Sequence, residues 1–160
     1  MNAKTFRLLI NLWPPFLFSG IKSTRISPDF REAEVSLHQR WYNRNYVGTH
    51  FGGSLFSMTD PWYMLLLIHS LGRDYVVWDR HASIEFVSPG RGTVKASFRV
   101  SEEKLKEIID HTEAGEKCLS EFQIDVTDEF NQLVARVNKT LYIRRKPRSK
   151  ARSAADGDQL

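Results

Sequence analysis

Residues 54–71, SLFSMTDPWYMLLLIHSL, are the longest apolar stretch in this 160-residue chain. Spanning a bilayer takes about 20 apolar residues, and this run is interrupted by a carboxylate and a proline. It is long enough for one central helix, with Gly72 as a C-terminal stop. A helix this apolar has to be covered over most of its circumference. The rest of the chain must therefore wrap it.

What surrounds it reads as strands. Ala33, Val35 and Leu37 alternate with Glu32, Glu34 and Ser36 over 31–37, the pattern of a half-buried strand. Ala82, Ile84 and Phe86 alternate with polar neighbours, as do Val94, Ala96, Phe98 and Val100, and SPGRG (88–92) between them is a turn. Ser101 reads as an N-cap with Glu102 and Glu103 in the first turn. A short surface helix follows, with Leu105, Ile108 and Ile109 as its apolar stripe, and ends by Gly115. Phe122, Ile124 and Val126 alternate next, residues 128–131 turn, and Leu133, Ala135, Val137, Leu141 and Ile143 alternate again.

The first 20 residues read as an amphipathic helix packed on the domain, with Leu8, Leu9, Leu12 and Trp13 at helical spacing. The predicted order is helix, two strands, one long buried helix, then four strands with a small helix inserted. Strands that follow one another locally pair antiparallel. The expectation is one α+β domain over 21–145, with a mostly antiparallel sheet around one long central helix and a disordered basic tail over 146–160.

Charge has to be localised before it means anything. Six of the 23 basic residues (Arg144, Arg145, Lys146, Arg148, Lys150 and Arg152) and two of the 19 acidic ones (Asp156 and Asp158) follow Ile143, so residues 1–143 carry no net charge. The basic balance belongs to the tail, and no nucleic-acid face is expected on the body. Cys118 is the only cysteine, which excludes an internal disulfide framework and a multi-cysteine zinc site. No His and carboxylate share metal-ligand spacing, and no phosphate loop, dinucleotide fingerprint or Gly-x-Ser-x-Gly is present. Pro14-Pro15 interrupts the N-terminal apolar run and no small-residue cleavage site follows, so no secretory leader is expected. A cytoplasmic protein without a membrane span fits these features.

The chemistry concentrates in residues 41–53, WYNRNYVGTHFGG, and the helix after them. Gly52-Gly53 lets a ligand approach the backbone closely. If the helix begins there, the N–H groups of Gly53 and Ser54 are free to hold an anion or oxyanion. Asp60 lies two turns further on and on the same face. Seven helical residues span about 10.5 Å, whereas catalytic groups meet their reacting atoms at about 3 Å. Gly53 and Asp60 of one chain therefore cannot readily serve one carbonyl; Asp60 of an antiparallel second chain could.

Each of these residues also has a plainer reading. Asp60-Pro61 can be an N-cap followed by a proline at the first helical position. Gly52-Gly53 can be a turn, and Asn45 a loop residue that caps backbone. His50 can be a general acid or base or a hydrogen bonder of the loop. Asp79 and His81, ahead of the strand at Ala82, can line a pocket or face solvent. Trp62 to Leu66 belong first to the core, and their exposed side can line an acyl tunnel. Arg91 and Arg44 are of the type that meets phosphate, and either one alone can equally be a solvated surface residue.

Asn45-x-x-Gly48-Thr49-x-x-Gly52-Gly53-x-Leu55-Phe56-x-Met58-x-Asp60 resembles the signature of hotdog-fold acyl-CoA thioesterases. ASIEFVSP (82–89) resembles the strand and proline turn that follow in that superfamily. The likeness covers roughly residues 30–143 and is nearest to a branch described as a domain of unknown function. It implies a hotdog fold and a dimer, or a dimer of dimers, in which Asp60 of one subunit faces Asn45 and Gly53 of the other. By the same resemblance Asp60 is base or nucleophile, Asn45 orients water, and the Gly53 N–H holds the oxyanion. His50, Phe51, Gly52, Ser54, Asp79, His81 and Arg91 would contact the substrate. Phe51 stands where the superfamily usually has His, and Asp79 where many relatives have Ser or Thr.

The function expected from the sequence is therefore hydrolysis of acyl-CoA, or a related acyl thioester, across a homodimer interface. Coenzyme A would enter only as part of the substrate, with no other cofactor. The alternative is a non-catalytic acyl-CoA or acyl-carrier binding module on the same scaffold. A dehydratase or hydratase of this fold would need a His–acid pair at a spacing that His50 and Asp60 lack.

Overall fold

The computed structural model describes residues 1–147; most of the tail expected to be disordered, 148–160, lies outside the described residues. The elements run α1 (Ala3–Leu12), α2 (Pro14–Ser19), β1 (Ile21–Ile26), β2 (Glu32–His38), α3 (Gly52–Thr59), α4 (Trp62–Leu71), β3 (Tyr75–Phe86), β4 (Thr93–Arg99), α5 (Glu102–Thr112), β5 (Lys117–Thr127) and β6 (Leu133–Arg145). The six strands form one sheet in the order β1-β2-β4-β5-β6-β3, and every pairing is antiparallel. Two strands precede the central helical segment and four follow it, with α5 between β4 and β5, in the predicted order, although no hydrophobic period located β1.

The alternating faces converge on α3 and α4. Trp62 is fully buried between Phe16 and Phe98, and Tyr63 stacks on Phe122 at 4.1 Å. Leu37, Val94, Ile124, Leu141 and Ile143 complete the core. Burying a side chain of this size contributes about 1.5–3 kcal/mol, so the apolar helix and the sheet need one another.

Two expectations are corrected. The central helix is not continuous over 54–71: it breaks at Asp60 and Pro61 into α3 and α4. Pro61 has no N–H for the carbonyl of Ser57, which instead accepts from Asp60 N at 3.3 Å. The N-terminal segment is two helices, because Pro14 and Pro15 end one and start the next. Its inward stripe is Ala3, Phe6 and Ile10, whereas Leu8, Leu9, Leu12 and Trp13 are exposed. The segment carries two apolar stripes, and only the other one packs on the domain.

The two edges of the sheet differ. At β1 the side-chain amide of Asn11 accepts from Ser23 N at 2.7 Å and donates to Ser23 O at 3.0 Å, and Arg7 donates to Thr24 O at 2.9 Å. That edge is closed by α1. β3 pairs with β6 from Tyr75 to Phe86, and among the described residues no strand pairs with its other side. A long bare edge of this kind is a ready template for another chain.

Candidate active site

Asn45 folds its own loop. Its Oδ1 accepts from Thr49 N at 3.0 Å, while its Nδ2 donates to Thr49 Oγ1 at 2.8 Å and to His50 O at 3.3 Å. Gly48, at φ +80, supplies the left-handed residue this turn requires. Both amide hydrogens of Asn45 are thus engaged within the loop, the capping role weighed from sequence.

The loop delivers the chain to α3, whose first residue is Gly52. Ser54 N and Leu55 N already return to Phe51 O at 2.9 and 3.2 Å, while the Gly52 and Gly53 amides precede the helix's first internal acceptor. Space makes both positions glycine. A Cβ on Gly52 would stand 2.8 Å from the Phe86 ring, and one on Gly53 would collide with the Phe51 ring. Ser54 is buried beneath them.

In front of this helix start lies a cleft of about 510 Å³. Val47, Leu55, Phe86 and Val87 give it an apolar wall, and Asn45, Thr49, His50, Ser88 and Arg91 give it polar groups. The Arg91 guanidinium donates to Gly48 O at 3.2 Å and is otherwise exposed. His50 is 3% exposed, and its Nε2 lies 3.0 Å from Gly92 O. A carbonyl only accepts, so Nε2 carries the hydrogen and Nδ1 is bare; Nδ1 is buried with no protein partner. Burial holds the imidazole below its ordinary pKa. No Asp or Glu lines the cleft.

The acid stands at the helix break. With Pro61 interrupting the ladder, side chains take over the freed carbonyls. The Trp62 indole donates to Met58 O at 2.9 Å, Thr59 Oγ1 donates to Phe56 O at 2.8 Å, and Lys139 donates to Asp60 O. Asp60 caps no helix through its side chain, and Pro61 occupies the N-cap of α4. Instead Asp60 Oδ1 lies 3.3 Å from Lys139 Nζ, with the Asp60 side chain 59% exposed and that of Lys139 wholly buried.

Lys139 also reaches Asp79 Oδ2 at 3.0 Å. Asp79 is inside β3, not ahead of it. A bulge between Asp79 and His81 changes the strand's parity, so Asp79 and Ala82 are both turned from solvent while Arg80 and His81 are exposed. Burial pushes the Asp79 carboxyl above its ordinary pKa; the Lys139 ammonium opposes this and the charge of Asp60 adds to it. Asp79 Oδ1 is buried with no protein partner.

The structure therefore gathers Asn45, His50, Gly52 and Arg91 at one cleft, with Phe51 and Gly53 beside it, and sets Asp60 and Asp79 at a second cluster around Lys139. It does not bond His81 to either: that ring is exposed in a groove lined also by Ser83, Glu121, Gln123, Asn138 and Lys139, whose buried ammonium turns to the two acids instead. Lys139, absent from the candidates the sequence offers, falls on the inward side of an alternating strand. Among the described residues no three His, Cys, Asp or Glu cluster to hold a metal ion.

Residues 2–143 match the family described as domain of unknown function, DUF4442. No curated protein matches the chain in sequence. Solved structures share its fold. A Pseudomonas aeruginosa protein of unknown function, PA5026, called a probable thioesterase, is 19% identical with a TM-score of 0.79, covering 91% of this chain and 97% of its own. Thioesterase HI1161 from Haemophilus influenzae is 14% identical with a TM-score of 0.67, covering 94% and 96%. The Escherichia coli PaaI protein of the phenylacetic acid degradation operon is 16% identical with a TM-score of 0.62, covering 90% and 92%. At these identities the likeness is one of fold: the antiparallel sheet and its central helical segment have the hotdog architecture.

Proposed function

Because the chain belongs to the DUF4442 family, on a fold shared with probable thioesterases, we propose that it hydrolyses acyl thioesters, acyl-CoA foremost, at a site completed by a second copy. One observation carries the reading: the cleft is lined by glycine, an asparagine and a histidine but no carboxylate, while the exposed carboxylate of Asp60 belongs to the C-cap of α3, seven residues and about 10.5 Å of helix rise from Gly53. Two antiparallel copies would exchange these halves, and the bare edge of β3 offers a way to join them.

In that arrangement the thioester carbonyl rests against the Gly52–Gly53 amides. The carboxylate of Asp60 takes a proton from water as the water oxygen bonds to the carbonyl carbon. The carbonyl electrons move onto oxygen, where the amides hold the oxyanion. Collapse breaks the carbon–sulfur bond, and the thiolate leaves with a proton returned from Asp60. Arg91 at the rim suits a phosphate of coenzyme A, and the wall of Val47, Leu55, Phe86 and Val87 suits the apolar part of the substrate.

The test is turnover of short, medium, long and aromatic acyl-CoAs by the wild-type chain and by Asp60→Asn. The expected result is hydrolysis in the first and loss of about 100-fold or more in the second. Mixing chains that separately carry Asp60→Asn and Gly53→Ala should restore about a quarter of wild-type activity, since half of randomly formed dimers would hold one intact site. Activity of Asp60→Asn equal to wild type would sink the proposal.

A second reading, a binding module without catalysis, draws on the engaged amide of Asn45 and the Phe51 ring over Gly53. It predicts saturable acyl-CoA binding with no release of free thiol.

A further inference from the structure

The outward side of α1 and α2 is apolar where a surface helix is ordinarily polar. Leu8, Leu9, Leu12, Trp13, Leu17 and Phe18 are all exposed, Phe18 by 75%. They are not needed to hold the helices down, since Ala3, Phe6, Ile10 and Phe16 do that from the opposite side. Patches of this kind on a monomer mark an interaction surface.

The charge on the helices and their groove has one sign. Residues 1–28 contain Lys4, Arg7, Lys22 and Arg25 and no Asp or Glu; Arg25 is paired with Glu32 and Glu34 of β2, which leaves Lys4, Arg7 and Lys22 beside the apolar side. Leu17 lines a groove of about 270 Å³ together with Lys22, His38, Arg40 and Tyr42, and no acidic side chain enters it. Trp41, 81% exposed, meets Tyr42 edge-on at 5.6 Å. Aliphatic side chains, Trp and Tyr at a boundary, and basic groups beside them compose a surface that lies in a lipid interface.

We propose that α1, α2 and the adjoining groove dock the protein on a membrane surface rich in anionic phospholipid. The apolar side chains enter the boundary between headgroups and acyl chains, and Lys22 and Arg40 meet the phosphates. No described helix is long and apolar enough to cross a membrane, so the helices lie in its plane. A second copy is a poorer occupant. A two-fold contact sets a patch against itself, which would bring the basic groups of the groove together with no acid in its lining to offset them. The face also lies beyond β1, at the opposite end of the sheet from the bare edge of β3, so a dimer joined along β3 leaves it open.

The experiment is flotation of the full chain with vesicles of phosphatidylcholine alone and of phosphatidylcholine with an equal part of phosphatidylglycerol. The wild-type chain should partition about tenfold or more in favour of the anionic vesicles, and 1 M salt should weaken this by cutting the Debye length to about 3 Å. Leu12→Ser/Phe18→Ser, at two exposed positions, should lose about tenfold in partition. Lys22→Glu/Arg40→Glu should lose a similar factor. Absence of binding to anionic vesicles overturns the proposal. So does equal binding by wild type and Leu12→Ser/Phe18→Ser, which would assign the attraction to the basic tail that both retain. A larger particle by light scattering that shrinks in that same variant would assign the face to a second copy and also overturn it.

Discussion

Nζ of Lys139 lies 3.0 Å from Oδ2 of Asp79, inside the protein, on a lysine whose side chain has no solvent exposure. The same ammonium takes the carbonyl and carboxylate of Asp60. One cation thus joins β6, the bulge of β3 and the break between α3 and α4. Lys139→Met would leave two carboxylates facing each other with no cation between them. Removing one partner of a buried pair is strongly destabilising, discounted here because Asp60 is largely exposed; the expected loss is about 1–3 kcal/mol by urea unfolding. Asp79→Asn/Lys139→Met should lose less than the sum of its parts, and an additive cycle would show the pair to be uncoupled. Thioester turnover should fall in Lys139→Met even at temperatures where it is fully folded.

Pro61 sets where Asp60 points. Asp60 and Pro61 both have helical backbone angles, so it is the absent N–H and the ring that break the helix. Pro61→Ala restores a donor to Ser57 O and lets the two helices run on as one. The expected outcome is stability within about 1 kcal/mol of wild type together with reduced turnover, because Asp60 is drawn away from Lys139. Circular dichroism and acyl-CoA kinetics on the same preparation would check it; unchanged kinetics would mean that the break does not position the acid.

Acid should weaken the cleft. Burial lowers the pKa of His50 in the folded chain, so as pH falls below about 6.5 the unfolded chain takes up the proton first. The stability from a neutral His50 is complete above that value and is lost as pH falls through the folded one. His69 shifts in the same direction, chiefly through burial. His50→Gln keeps a donor for Gly92 O and removes the titration. The stability difference between wild type and His50→Gln should therefore shrink from pH 7.5 to pH 5, measured by urea midpoints; a constant difference would place His50 in contact with water.

The strands were legible wherever alternation was written in apolar letters, as at Ala33–Val35–Leu37 and Val94–Ala96–Phe98. β1 was not located because its inward Ser23 is a polar residue, buried and bonded through its backbone to Asn11. The two halves of the site were legible as residue types and spacing. Their supports were not. A bulge that turns Asp79 and Ala82 to one side has no signature in DRHAS. Lys139 did leave a sign: it falls between Val137 and Leu141 on a buried face, and a lysine there demands a carboxylate partner. The N-terminal helix misled for the opposite reason, since two apolar stripes competed and Ala3, Phe6 and Ile10, not Leu8, Leu9 and Leu12, face the interior.

Gly53 is glycine for room and not for backbone angle. Its φ lies outside the left-handed region, unlike that of Gly48, but a Cβ there would run into the ring of Phe51. Phe51 is 56% exposed, so the ring can swing aside, and alanine gains up to about 1 kcal/mol of helix propensity over glycine. Gly53→Ala should therefore fold with stability within about 1 kcal/mol of wild type. Its turnover should nevertheless fall about tenfold or more, because the displaced ring and the new methyl crowd the amide proposed to hold the oxyanion. Phe51→Ala/Gly53→Ala relieves the collision and should recover part of the rate with little further change in melting temperature. Full turnover in Gly53→Ala would mean that the carbonyl does not sit against this amide, and the oxyanion would then have to be held by some other donor of the cleft.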